Sequence, residues 1–237
     1  MSYKTKLIYS ADDTDMILSD LSVKIHGAIM GLIPSSYAEQ LHKGALQPFS
    51  LHAAASDGRI TLHLCTLCDS ADIIADALCE ADELPIYGMP QPIRLISYQR
   101  DQTPPPEQLA AMCKGNRFRL ELLSPAVIKK GGKPFCTLNI GRYFRSVADK
   151  LQEFNGIELD TEKLCSDISS VDLTELKLST TSHNVSGTRY TGILGHADIR
   201  FNNDISHEMS MLLAYAQYSG IGAKTALGMG AFRIHNV

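Results

Sequence analysis

FSLHAAASDGRITLHLC, residues 49–65, reads as two strands folded back on one another. FSLHAAA (49–55) and RITLHLC (59–65) flank Ser56-Asp57-Gly58, and Asp-Gly at such a tip is a strong short-range hairpin signal. Upstream, KLIYSA (6–11) reads as a strand. A helix is predicted over 19–33, with Leu21, Ile25, Ile29 and Leu32 at helical spacing, closed by Pro34. Downstream, an acidic helix at about 70–82 and the strand PIRLISYQ (92–99) complete the order strand, helix, strand, strand, helix, strand.

The second half repeats that order. RFRLELLSPAVI (117–128) reads as a strand, 140–154 as a helix, and 171–180 and 188–200 as strands. A helix over 205–218, with Met209, Leu212, Leu213 and Ala216 on one face, precedes the closing strand GAFRIHN (230–236). Each half fits the split βαβ unit, in which two helices cover one face of a four-stranded antiparallel sheet. The predicted class is α+β: two tandem ferredoxin-like (RRM-like, βαββαβ) domains, at 1–100 and 117–237. Between them, residues 101–116 with three consecutive prolines read as a semi-rigid linker.

Composition narrows the function classes. Over 237 residues, 44% are hydrophobic and 20% charged, which argues against disorder and fibres. No run approaches the ~18 apolar residues of a membrane helix. The opening MSYKTKLIYSADDTD turns acidic where a signal peptide needs its apolar stretch, so a cytoplasmic protein without a membrane partner is expected. Six cysteines in such a chain read as reduced thiols. The formal charge of −4 hides an uneven distribution: residues 117–150 carry eight Lys/Arg against Glu121 and Asp149. That segment suits a face that attracts a polyanion, or simply a basic strand and helix balanced by acidic neighbours.

SGIGAKTALGMG (219–230) places Gly220, Gly222, Gly228 and Gly230 around Ala223-Lys224-Thr225. It is not a P-loop, because Lys224 follows Ala223 rather than Gly and the segment leaves a helix to enter a strand. The dinucleotide fingerprint also fails at Thr225. What survives is a loop whose exposed backbone amides, aided by Lys224, could lie against phosphates. Turn geometry alone is the plainer explanation of any single glycine.

AYAQYSGIGAKTALGMGAFRI (214–234) resembles the C-terminal signature of the RAMP superfamily, particularly the CRISPR-associated repeat endoribonucleases of Cas family six. LLSPAVIKKGGKPFCTLNIGRYFRSVADKLQEFNG (122–156) is similar to that family's Ser-Pro strand end, basic loop and following helix. VKIHGAIMGLIPSSYAEQLHKGALQPFSLH (23–52) is similar to its first helix, Leu-His segment and Pro-Phe-Ser strand entry. The resemblance implies CRISPR repeat RNA (pre-crRNA) as substrate. It also implies cleavage without metal or other cofactor, leaving a 2′,3′-cyclic phosphate and a 5′-hydroxyl. Other CRISPR effector-complex subunits and a homodimer stay open as partners. A rival within the superfamily is a non-catalytic crRNA-binding subunit of an effector complex.

Such cleavage uses the substrate 2′-hydroxyl as nucleophile, so the protein must accept one proton and donate another. Histidine suits both transfers. His42, in the polar segment Gln40–Gly44 after the first helix, falls where the resemblance puts the catalytic histidine. Its position is expected to be an exposed loop. The helix-borne tyrosine of some family members corresponds to Met30 here. His26 and Tyr37 are the alternatives for that role, against plain readings as a boundary histidine and a packing residue. A basic residue expected before the Pro-Phe element is Gln47, with Lys43 nearby. Lys129, Lys130 and Lys133 around Gly131-Gly132 read as a mobile basic loop. Arg142 and Arg145 share a helix face. These basic residues are the expected RNA contacts. Cys65-x-x-Cys68 has no second pair at zinc spacing, and buried thiols are expected there.

Overall fold

Alternation sets the first strand. In β1 (Tyr3–Ser10), Thr5, Leu7 and Tyr9 are buried while Lys4 and Lys6 face solvent. The computed structural model describes residues 2–11, 20–185 and 187–237. Helix α1 (Leu21–Leu32) buries Leu21, Ile25 and Ile29, four residues apart on one face. Its expected start at residue 19 lies outside the described residues. Pro34 ends α1 and at once opens α2 (Ser35–Lys43), a helix that the reading of Pro34 as a stop had hidden. The next strands, β2 (Phe49–Ser56) and β3 (Arg59–Thr66), form the expected hairpin. Asp57 and Gly58 both take left-handed φ, 51° and 69°, as a two-residue type I′ turn requires. A single 3₁₀ turn leads into α3 (Asp72–Glu80), then the two-residue β4 (Glu83–Leu84) and β5 (Ile93–Gln102).

These strands lie in the order β2-β3-β1-β5-β4, antiparallel throughout. The four long ones have the ferredoxin-like arrangement, with short β4 added at the edge. Tyr9, Ile25, Ile29, Phe49, Leu62 and Ile74 are fully buried between sheet and helices.

The segment expected as a linker is ordered structure. Thr103 is buried, and α4 (Pro106–Leu109) begins at Pro106, where a missing N–H leaves no bond unmade. Leu109 and Cys113 are buried, which ties this segment to the second core. There follow β6 (Arg117–Ala126), β7 (Ile128–Lys130), β8 (Lys133–Phe135), α5 (Ile140–Asn155) and α6 (Thr161–Ser169). The chain closes with β9 (Val171–Val185), β10 (Thr188–Phe201), α7 (His207–Ser219) and β11 (Phe232–Asn236). Neither α6 nor the β7–β8 hairpin was expected. The main sheet order here is β11-β6-β10-β9, again ferredoxin-like. Phe118 and Phe201 meet edge-to-face at 6.1 Å in its core.

Two compact units result. One comprises the chain up to Thr103 together with Asn184–Arg189 and Ala226–Gly228; the other comprises Pro104–His183, Tyr190–Thr225 and Met229–Val237.

Candidate active site and nucleic-acid interface

His42 and Lys43 form the exposed last turn of α2 in the first unit, not the loop expected from the sequence. The C-terminus of a helix favours cations, because its last carbonyls carry unmatched negative charge. Those carbonyls are partly met within the chain. Gly44 N–H donates to Gln40 O at 3.1 Å, and Gln47 Nε2 donates to Leu41 O at 2.7 Å. Gln47 therefore caps the turn that carries His42, at the position where a basic residue was expected.

Tyr37 lies on the same helix but, five residues away at 3.6 per turn, points roughly 140° around it. It packs against the core, and burial pushes its hydroxyl pKa up. A phenol shifted in that direction is a weaker candidate for removing a proton near neutral pH. His26, on α1, stacks its ring on Phe49 with centroids 5.8 Å apart and planes 13° off parallel. Met30 follows one turn later and packs against the same core.

The basic residues of the second unit separate into two groups. Lys129 and Lys133 are exposed on the β7–β8 hairpin, and Gly131 and Gly132 make its tip with φ of 58° and 77°. The expected mobile loop is thus a paired ribbon, with Ile128 opposite Phe135 and Lys130 opposite Lys133. The side chain of Lys130 lies outside the described residues. Arg142 and Arg145 are exposed near the start of α5, where Asn139 Oδ1 caps the helix by accepting from Arg142 N–H at 2.9 Å. Both arginines line a groove of about 860 Å³ whose apolar wall includes Phe144, Leu164 and Ile168.

Arg119 and Lys150 do not belong to an open basic surface. Arg119 forks onto Asp198, with Nε–Oδ1 and Nη2–Oδ2 both at 2.7 Å. That hydrogen bonding holds the Asp198 carboxyl below its ordinary range. Asp198 also comes within 4.8 Å of Glu175 and His196, a set of metal-ligand types whose charge the guanidinium already meets. Lys150 is buried, and burial lowers its amine to about 7. Arg119 thus agrees with the reading of a basic strand balanced by acidic neighbours, whereas the burial of Lys150 was not expected, because nothing local to it signals its partners. In the first unit, burial pushes the Cys65 thiol up to about 11, in keeping with the expected buried thiol.

The glycine-rich loop differs most from expectation. Six of its amides are turned to protein acceptors. Gly220 N–H donates to Ala216 O, Ile221 to Gly230 O, Ala223 to Val127 O, Met229 to Lys224 O and Gly230 to Pro125 O. Gly222 N–H donates to Ser146 Oγ at 2.7 Å. A Cβ at Gly222 would stand 2.3 Å from Val127 O, and one at Gly230 would stand 2.0 Å from Ile221 O. Close backbone approach therefore explains these glycines better than a phosphate cradle does. Gly220 is buried beside Thr225, and Gly228, grouped with the first unit, is buried against Ser22. Lys224 is a non-glycine residue in left-handed conformation, φ 66°, with its ammonium 6.0 Å from the Tyr190 ring centroid.

With this geometry in view, comparison with known proteins gives a consistent answer. The family model of the CRISPR-associated endoribonuclease Cas6 matches residues 120–232. A Cas6 endoribonuclease of Mycobacterium tuberculosis is 26% identical over 230 residues, spanning 92% of this chain and 72% of that protein. Over residues 120–232 the chain is similar to the Cas6 family. A Streptococcus thermophilus Cas6 endoribonuclease is 24% identical, with 97% of both chains covered. Thermus thermophilus Cas6, solved as a product complex, shares the fold with a TM-score of 0.81 at 22% identity over 99% of both chains. Among the described residues, no helix is long and apolar enough to cross a membrane.

Proposed function

We propose that this protein cleaves precursor CRISPR RNA within its repeats. In this reading the 2′-hydroxyl attacks the adjacent phosphorus and the P–O5′ bond breaks. The products are a 2′,3′-cyclic phosphate and a 5′-hydroxyl. One proton leaves the 2′-oxygen and another reaches the departing 5′-oxygen, and the protein has to carry both. His42 is the principal proton carrier. The observation that supports it is its place on the exposed, Gln47-capped last turn of α2, beside Lys43, which can meet phosphorane charge. His26 is the second candidate. Tyr37 is the weaker one, since burial raises its pKa and turns it toward the core. With Met30 at the position of the family's tyrosine base, slow turnover fits this side-chain set. Lys129, Lys133, Arg142, Arg145 and Lys224 would supply phosphate contacts; the glycines would shape the fold behind them.

The deciding experiment incubates wild type and His42→Ala with the organism's repeat RNA in EDTA and maps the product ends. One cut ending in a cyclic phosphate, lost in the variant, supports the reading and its independence from metal. Tight binding with no cut by wild type moves the assignment to a crRNA-binding effector subunit. A variant that cuts as fast as wild type removes His42 from the chemistry.

A further inference from the structure

One face of α5 carries Tyr143, Ser146 and Lys150, spaced three and four residues apart. Each makes a bond that leaves the helix. Tyr143 Oη donates to Ala126 O at 3.4 Å and to Thr137 O at 3.1 Å, so it touches the chain just before β7 and just after β8. Ser146 Oγ accepts the Gly222 amide at 2.7 Å. Lys150, 3% exposed, donates to Ser219 O at 2.6 Å, Thr225 Oγ1 at 2.9 Å and Gly220 O at 3.4 Å.

The Lys150 contacts join two sides of the glycine-rich loop. Ser219 ends α7 and Gly220 follows it, where carbonyls lack helical partners and the dipole is negative. Thr225 lies across the loop. One amine therefore ties the loop's entry to its far side. From the loop, the Ala223 amide reaches Val127 O at 2.8 Å, and Val127 is the residue before β7. The basic hairpin thus starts from a carbonyl that the loop holds, and Tyr143 braces both of its ends.

We propose that Lys150 is a positioning residue for RNA binding: by closing the glycine-rich loop it fixes Val127, and so sets the direction in which the β7–β8 hairpin presents Lys129 and Lys133. The inference rests on the reading of that hairpin as an RNA contact. It gives the loop a role in binding without any loop amide touching a phosphate.

The test measures repeat-RNA affinity against salt concentration for wild type, Lys150→Met, Thr225→Val, Thr225→Ser and Lys129→Ala/Lys133→Ala. Thr225→Val is the mild variant, since it removes one acceptor and keeps the amine. Removing two phosphate contacts lowers the slope of log affinity against log salt by about one to two. The expected result is that Lys150→Met and Thr225→Val also lower that slope, although neither removes a surface charge. Affinity should fall about tenfold in Lys150→Met and less in Thr225→Val, with Thr225→Ser restoring wild-type behaviour. Adding the two hairpin substitutions to Lys150→Met should cost less affinity than in wild type. A residue that merely stabilised the fold would leave the slope unchanged. Wild-type slopes in Lys150→Met and Thr225→Val, or full additivity with the hairpin substitutions, would overturn the inference. If the hairpin substitutions themselves leave affinity unchanged, the RNA reading of the hairpin falls with it. If they weaken binding while Thr225→Val and Lys150→Met do not, only the role of Lys150 falls.

Discussion

Replacing Lys150 with methionine removes a buried amine whose pKa burial has lowered from 10.5 to about 7. The sign of its effect on stability follows from proton counting. Below pH 7 the folded and unfolded chains both hold the proton. Between pH 7 and 10.5 the unfolded chain keeps a proton that the fold has released, so the unfolding free energy rises with pH. One group titrating in this way contributes at most about 1.4 kcal/mol per pH unit. In a chain of this length that corresponds to at most roughly 3–6 °C in Tm per pH unit. The variant has no such group. Its melting curve should lie nearest to wild type around pH 6–7 and fall progressively behind toward pH 9. Cys113, in the same unit, has its thiol pushed by burial up to about 11 and acts in the opposite direction above pH 9. That thiol is present in both proteins, so its effect cancels in the difference. Thermal unfolding of the two proteins at pH 6, 7, 8 and 9 provides the measurement. A constant difference in Tm across that range would refute the reasoning. It would mean that the carbonyls of Ser219 and Gly220 and the hydroxyl of Thr225 hold the ammonium charged against the cost of burial.

Three further predictions concern the candidate site and its supports. His42→Ala should lose about 10²–10⁴ in single-turnover cleavage rate while repeat-RNA affinity changes little, read from cleavage time courses beside a filter-binding isotherm. Gly222→Ala should be destabilised by about 2 kcal/mol or more, because its φ of 74° disfavours a side chain and Val127 O occupies the space; Gly27→Ala, in α1 with open space around it, should gain roughly 1 kcal/mol. Urea denaturation of both variants checks the pair, and equal midpoints would remove the close-approach explanation. Gln47→Ala should lower the cleavage rate more than RNA affinity, since it uncaps the turn bearing His42 without removing a charge. An unchanged rate would show that the turn holds its geometry through the Gly44 amide alone.

Much of the fold was legible because its signals are local. The alternation in β1, the four-residue spacing of Leu21, Ile25 and Ile29, and the Asp57-Gly58 tip each depend on neighbours within one element. Taken in order, they specify the βαββαβ unit twice. The misses share a cause. Pro34 was read as a stop, although a proline that cannot continue one helix can still begin the next. The β7–β8 hairpin was read as a loop because Lys-Lys-Gly-Gly-Lys has no apolar alternation, and its pairing is only three residues deep. α6 is short and mostly polar, so its stripe was too narrow to notice.

By itself, the sequence determined the class, the order of the long elements, the tandem arrangement and the list of residues from which the site is drawn. Tertiary structure alone decided what those residues face. Lys150 and Ser219 are 69 positions apart, Arg119 and Asp198 are 79 apart, and Gly222 meets Ser146 across 76. No periodicity reports such partners, since they are brought together only when sheet and helices close over one core. A lysine on a polar-looking helix thereby becomes a buried pin, and glycines that looked like a phosphate cradle become close backbone contacts. For His42 the structure adds one thing: a capped helix end to hold it.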